Sequence, residues 1–148
     1  MARAVVARSG AEGVALSIIV PMLNEAAALP GLLAQLARWR TRGCEVVVVD
    51  GGSTDGSATM ARAAGFTVVD AERGRARQMN AGAALARGEV LLFLHADTQL
   101  PADADVAVRA ALADGRRDWG RFDVRIAGRS PMLRVVAGLM NLRSRLTG

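Results

Sequence analysis

Two carboxylates stand at the ends of short apolar runs, a placement that suits metal and phosphate chemistry. Residues 89–98 read Glu-Val-Leu-Leu-Phe-Leu-His-Ala-Asp-Thr, so Asp97 closes an apolar run almost directly. A buried strand here would carry Asp97 to the open edge of a sheet, where a carboxylate can hold a divalent cation over a phosphate-bearing ligand. Residues 46–49 are four consecutive valines, followed by Asp50-Gly51-Gly52-Ser53-Thr54-Asp55-Gly56. Carboxylates beyond the carboxyl ends of parallel strands mark the usual ligand crevice of an open α/β sheet.

The glycine-rich turn after Asp50 invites two other readings, and both fail on spacing. A phosphate loop of the ATPase type needs a Lys after its last glycine, and the chain has no Lys. A dinucleotide fingerprint needs its glycines after the first strand, whereas these follow the second. What remains at that point is a tight strand-to-helix turn with Ser53 or Asp55 as a cap, or a ligand wall.

The elements that must position these residues alternate. Strands are expected at 17–22, 45–49, 66–69 and 89–94, and helices from the segment after Asn24-Glu25 to near residue 40 and over 56–64, 76–87 and 101–113. The first helix carries Leu29, Leu32, Leu33 and Leu36 at helical spacing, with Pro30 tolerated in its first turn. Four strand–helix alternations predict an α/β fold with a mostly parallel sheet and helices on both faces. Beyond them, Phe122, Val124 and Ile126 alternate with charged residues, which predicts a half-exposed strand over 121–126. Ser130 and Pro131 then open a last helix as cap and first-turn proline. Residues 1–15 read as a loose lead-in, and 16–148 as a single domain.

Composition bounds the function. At 148 residues with 51% hydrophobic residues, the chain can build a core and is not a disordered protein. The lone Cys44 excludes an internal disulfide and suits a reducing compartment. Charge is uneven: residues 1–114 hold 11 Arg against 12 acids, and residues 115–148 hold eight Arg against two. No nucleic-acid partner is expected, because the basic tail offers only Trp119 and Phe122 for stacking and no known motif. No signal peptide or membrane span is read, so the expected location is cytoplasmic, at most peripheral to the inner face of the cell membrane. On the last helix Met132, Val135, Val136, Leu139, Leu142 and Leu146 share one apolar face, with Arg134, Arg143 and Arg145 around it. If uncovered, residues 131–146 should drive self-association or contact with an anionic membrane surface.

Taken in order, four pieces resemble the family 2 glycosyltransferases. They are Pro21-Met22-Leu23-Asn24-Glu25, Val49-Asp50-Gly51-Gly52-Ser53-Thr54-Asp55, Asn80-Ala81-Gly82, and Phe93-Leu94-His95-Ala96-Asp97-Thr98. The resemblance covers roughly residues 16–100. It extends to a bacterial subgroup named radical-SAM/selenodomain-associated transferase 2, which shares the His-Ala-Asp-Thr ending and the stretch Gly-Arg-Ala-Arg-Gln-Met-Asn. It implies a Rossmann-like GT-A nucleotide-sugar-binding domain and a metal-dependent, inverting sugar transfer from a nucleoside-diphosphate sugar, with a UDP-sugar favoured. By the same resemblance Pro21, Asn24 and Glu25 line the nucleotide pocket. Asp50 accepts a hydrogen bond from the base, and Ser53 and Asp55 shape that wall. Arg75, with Arg77 or Gln78, faces the diphosphate, and Asp97 holds Mn²⁺ or Mg²⁺.

Two departures from the family pattern stand out. His95 occupies the place of the first acid in the family's Asp-x-Asp element, where imidazole would serve the nucleotide or simply pack at a strand end. The acceptor half, which carries the general base in the family, has no counterpart: residues 99–148 contain no Glu and no adjacent acidic pair. The chain is therefore expected to be a donor-binding half with no identifiable catalytic base. A non-catalytic nucleotide-sugar-binding fragment that needs a partner chain is the alternative. A basic α/β module without sugar chemistry is the third reading.

Overall fold

The computed structural model describes residues 6–8, 16–113, 116, 118–123, 125–130 and 132–147. In chain order the elements are β1 (Val6–Arg8), β2 (Leu16–Met22), α1 (Leu29–Thr41), β3 (Glu45–Asp50), α2 (Ser57–Ala63), β4 (Thr67–Asp70), α3 (Arg75–Leu85), β5 (Val90–Phe93), α4 (Ala104–Leu112) and α5 (Met132–Thr147). The strands form one five-stranded sheet in the order β1-β5-β2-β3-β4. β5, β2, β3 and β4 are parallel, and β1 pairs antiparallel with β5. This is the α/β architecture expected from the alternation.

The chain runs outward from β2 through β3 to β4, then returns to β5 on the other side of β2. Strand order therefore reverses between β2 and β5, and open α/β sheets bind ligands outside the carboxyl ends of the strands at such a point.

Burial on both faces explains the continuous apolar strands. Leu16, Ile18, Val20 and Met22 of β2 face a core that holds Leu29, Leu32, Leu36 and Trp39 of α1, Ala61 of α2, and Val108 and Leu112 of α4. Ile19, Val47 and Val49 face the opposite side, against Ala81 and Ala83 of α3. α3 lies close on that face because Gly82 has no side chain. A β-carbon there would fall 2.5 Å from Ile19 Cγ2 and 2.8 Å from Val49 Cγ2.

The opposite end of the sheet is closed by Glu45. Its carboxylate accepts the hydroxyl of Ser17 at 2.5 Å, the backbone N–H of Arg87 at 2.7 Å and Arg87 Nε at 3.0 Å. Ser17 Oγ in turn accepts the N–H of Gly88 at 2.9 Å. Two strands and the loop into β5 are tied by one carboxylate.

Two expectations need correction. Residues 6–8 of the lead-in form the sheet edge beside β5; the remainder of 1–15 lies outside the described residues. Among the described residues of 121–126 there is no strand. Period-two patterning does not by itself pair a segment with the sheet, and the edge beside β5 is taken by β1 instead. Phe122 instead packs against the main core. The expected turn proline Pro131 lies outside the described residues, and α5 follows from Met132. On α5, Ala137 is buried while Met132, Val135, Val136, Leu139, Leu142 and Leu146 are 40–77% exposed. No described helix is long and apolar enough to cross a membrane.

Candidate functional site

The loops after β2 and β3 are locked to each other before any ligand enters. Asn24 adopts a left-handed backbone (φ 54°), a conformation its short polar side chain tolerates. Its N–H donates to Ser53 Oγ at 2.8 Å, and its Oδ1 accepts the N–H of Thr54 at 2.8 Å. The N–H of Glu25 donates to Ser57 Oγ, and that of Ala26 to Asp55 Oδ2, each at 2.9 Å. Asp55 Oδ1 accepts both the N–H and the hydroxyl of Ser57. The Ser57 hydroxyl, helped by these backbone donors, holds the Asp55 carboxyl below the usual carboxylate range. Asn24, Ser53 and Asp55 thus spend their polar atoms on joining two loops.

Asp50 sits behind that web and is buried. Its Oδ2 accepts the N–H groups of Gly52 at 3.1 Å and Ser53 at 2.9 Å. Its Oδ1 is buried and has no hydrogen-bond partner among the described residues. A carboxylate oxygen in that state can accept a further donor.

Gln78 is also buried, at the start of α3. Its Nε2 donates to the carbonyls of Met22 at 2.7 Å and Val49 at 2.9 Å, bridging the ends of β2 and β3. Arg77 is turned away and pairs with Glu72 at 2.6 Å.

Directly outside β2 and β5 the surface opens into a cavity of about 370 Å³. β2 and its loop contribute Pro21, Met22, Leu23 and Glu25. The approach to α3 contributes Arg73, Gly74, Arg75 and Gln78, and the end of β5 contributes His95, Ala96 and Asp97. Of the residues expected from sequence, Pro21, Glu25, Arg75, Gln78, His95 and Asp97 meet here. Asn24, Asp50, Ser53 and Asp55 stand in the adjoining loop web and do not line the cavity. Arg73 escaped sequence reading. Its signal was its place beside Gly74 and ahead of a helix with no acid in its first turn.

The walls are electrically polarised. α3 begins at Gly74, whose φ of 140° is glycine territory, and its unsatisfied N–H groups favour an anion. Arg73 and Arg75 are exposed beside it. Opposite stand Asp97 and His95. Burial, reinforced by the Arg75 guanidinium, pushes the His95 imidazole below its ordinary pKa, against the pull of Asp97. Asp97 Oδ1 accepts the Thr98 hydroxyl at 3.2 Å, and the carboxylate is exposed to solvent. No three His, Cys, Asp or Glu side chains cluster for a metal among the described residues. A cation here would complete its ligands from a bound phosphate and water, as Mg²⁺ does where one or two carboxylates hold it.

The family model described as "Glycosyl transferase family 2" matches residues 17–137. The chain belongs to that family. A relative is the PGL/p-HBAD biosynthesis glycosyltransferase of Mycobacterium bovis (strain BCG / Pasteur 1173P2), 40% identical over 109 residues, covering 69% of this chain and 42% of the relative. The chain thus spans less than half the length of that protein. Among solved structures, the mannosyltransferase PcManGT from Pyrobaculum calidifontis, in complex with GDP-Man and Mn²⁺, superposes with a TM-score of 0.58 at 30% identity, over 71% of this chain and 33% of that one. Glucosyl-3-phosphoglycerate synthase from Mycobacterium tuberculosis, in complex with Mn²⁺, UDP and glucosyl-3-phosphoglycerate, superposes with a TM-score of 0.55 at 25% identity, over 64% and 38% of the two chains. The match to this family accounts for a sheet whose polar residues gather at the carboxyl ends of its strands.

Proposed function

We propose that this chain is the donor-binding part of a metal-dependent, inverting glycosyltransferase that takes a nucleoside-diphosphate sugar, with uridine as the favoured base. The observation that carries the reading is the cavity at the strand-order reversal, where Arg73, Arg75 and the start of α3 face Asp97. An anion-binding helix start opposite a carboxylate suits a diphosphate with a divalent cation on its far side.

In this reading Arg73, Arg75 and the N–H groups of α3 receive the diphosphate. The buried Oδ1 of Asp50 accepts an N–H from the base, for which the loop after β3 must shift. Pro21 and Glu25 wall the nucleotide, while Asn24, Ser53 and Asp55 keep the two loops in register. Mn²⁺ or Mg²⁺ would be held by Asp97, and would offset the charge of the departing nucleoside diphosphate. Support comes from the family match and from Mn²⁺ in the two related complexes. A cytoplasmic site of action, where a reduced Cys44 is at home, belongs to the same proposal.

Titration calorimetry of UDP in Mn²⁺ tests it. Wild type should bind, and Asp97→Asn should bind more weakly with its fold unchanged by circular dichroism. Equal affinity would remove Asp97 from the metal role. The alternative, a non-catalytic nucleotide-sugar-binding fragment, is favoured by one observation: residues 99–148 contain no Glu and no adjacent acids to act as base. Hydrolysis or transfer of a UDP-sugar by the 148-residue chain separates the two.

A further inference from the structure

Asp97 stands on backbone that is neither strand nor helix, since β5 ends at Phe93 and α4 begins at Ala104. Thr98 ties that backbone together. Its N–H closes a turn onto the carbonyl of His95 at 3.0 Å, and its hydroxyl donates to Asp97 Oδ1 at 3.2 Å. Its carbonyl accepts Gln35 Nε2 at 3.2 Å, while Gln35 Oε1 accepts the N–H of Leu100 at 2.7 Å. One side-chain amide on α1 thus bonds the two backbone groups that flank Gln99, much as a residue of a neighbouring parallel strand would. These partners lie 63 and 65 residues further along the chain.

Gln35 reaches both groups because of where α1 puts it. Leu32, Leu36 and Trp39 of that helix are buried in the main core, and Gln35 lies half-buried beside them. An amide suits both bonds, whereas a carboxylate lacks the donor and an apolar side chain lacks both groups. About two turns further along α1, Arg42 Nη1 donates to the carbonyl of Ala102 at 2.5 Å, so the same helix holds the connection into α4 at a second point. A carboxylate on irregular backbone loses conformational freedom when a ligand fixes it, and a segment already tied to a helix loses less. We propose that Gln35 is a positioning residue of the donor site, holding the Asp97 turn through Thr98 and Leu100 so that a metal-bound nucleoside diphosphate meets a preformed wall. The inference rests on the donor-binding reading above and extends the site to a residue that does not line the cavity.

Gln35→Met keeps the length of the side chain and removes both hydrogen bonds. In the full 148-residue chain without ligand, hydrogen exchange should quicken over residues 96–100 and stay unchanged in β2, β3 and β5. Calorimetric affinity for UDP in saturating Mn²⁺ should fall by about tenfold, as expected when two hydrogen bonds no longer hold the turn. A role in stability alone would leave the affinity of the folded variant at the wild-type value. That result, or unchanged exchange over 96–100, would overturn the inference and leave the donor-binding reading standing. Failure of wild type to bind UDP with Mn²⁺ would overturn both. Should Gln35→Met not fold, Gln35→Glu decides. It keeps the acceptor for Leu100 and loses the donor to Thr98, so it should show the same loosening and a weaker affinity; wild-type affinity in that variant would overturn the inference.

Discussion

Gln78 lies directly against Gly51: a β-carbon on that glycine would fall 2.9 Å from Gln78 Cδ. The contact is tight because the Gln78 amide must reach two carbonyls at once, those of Met22 and Val49. The ends of β2 and β3 are thus bridged by a glutamine of α3 that seats against a glycine just after β3.

Gln78→Ala should therefore destabilise the fold by about 2 kcal/mol, since two buried carbonyls lose a partner. Gly51→Ala should cost a similar ~1–3 kcal/mol by displacing the same amide. Because both changes act on one bridge, the double variant should cost clearly less than the sum of the singles. Chemical denaturation of the four proteins measures this. Strict additivity would show that the glycine and the amide act independently.

The Glu45 clamp makes stability depend on pH in a stated direction. Burial alone would raise its pKa, but the Ser17 hydroxyl and the backbone and side-chain donors of Arg87 overcome it and hold the carboxyl below its ordinary value. A carboxyl depressed in the folded state contributes stability above its unfolded pKa and loses it as pH falls through the folded one. Wild type should be more stable than Glu45→Gln at pH 7, and the gap should close progressively below roughly pH 4.5. Thermal melts from pH 7 to pH 3 would show it. A gap that persists unchanged at pH 3 would mean that the clamp works through shape rather than charge.

Base preference follows from the partnerless oxygen of Asp50. Uracil offers an imide N–H where cytosine offers only an acceptor. One hydrogen bond to a charged group is worth about 1.5–3 kcal/mol, so UDP should bind at least about tenfold more tightly than CDP. Asp50→Asn should erase most of that preference. Equal calorimetric affinities of wild type for UDP and CDP would remove Asp50 from base recognition.

Much of this arrangement could be read from the chain because local chemistry and global topology agree. Short Val and Leu runs ending in Asp50 and Asp97 mark parallel strand ends, and Gly43 and Gly65, both at positive φ, follow α1 and α2 just beyond the expected helix ends. What could not be read depends on distant partners. Nothing local in Gln78 reveals that it bonds to Met22 and Val49, 56 and 29 residues away. Ser53 and Asp55 look like helix caps, yet each joins a loop 29 residues earlier in the chain. The alternation of residues 121–126 satisfies a strand's side-chain pattern, but no pattern reports which segment will pair with a sheet edge. Arg73 lies one residue outside the motif that drew attention to Arg75.

The last helix carries more apolar surface than its own contacts use. α5 packs through Ala137, while its other apolar face, from Met132 to Leu146, lies open. Exposed apolar patches of more than a few hundred Å² are uncommon on monomers and mark contact surfaces. Arg134, Arg143 and Arg145 lie on the same helix, and Arg145 is paired with Asp123. An apolar face bordered by guanidinium groups suits either a second copy of the chain or the surface of an anionic bilayer. The 148-residue chain should accordingly self-associate or sediment with anionic vesicles, and Val136→Ser with Leu139→Ser should abolish that behaviour without loss of the fold. Each serine removes apolar area from the open face. Light scattering and vesicle sedimentation read the two outcomes separately. A monomeric wild-type chain that ignores anionic vesicles would show that the α5 face has no such role.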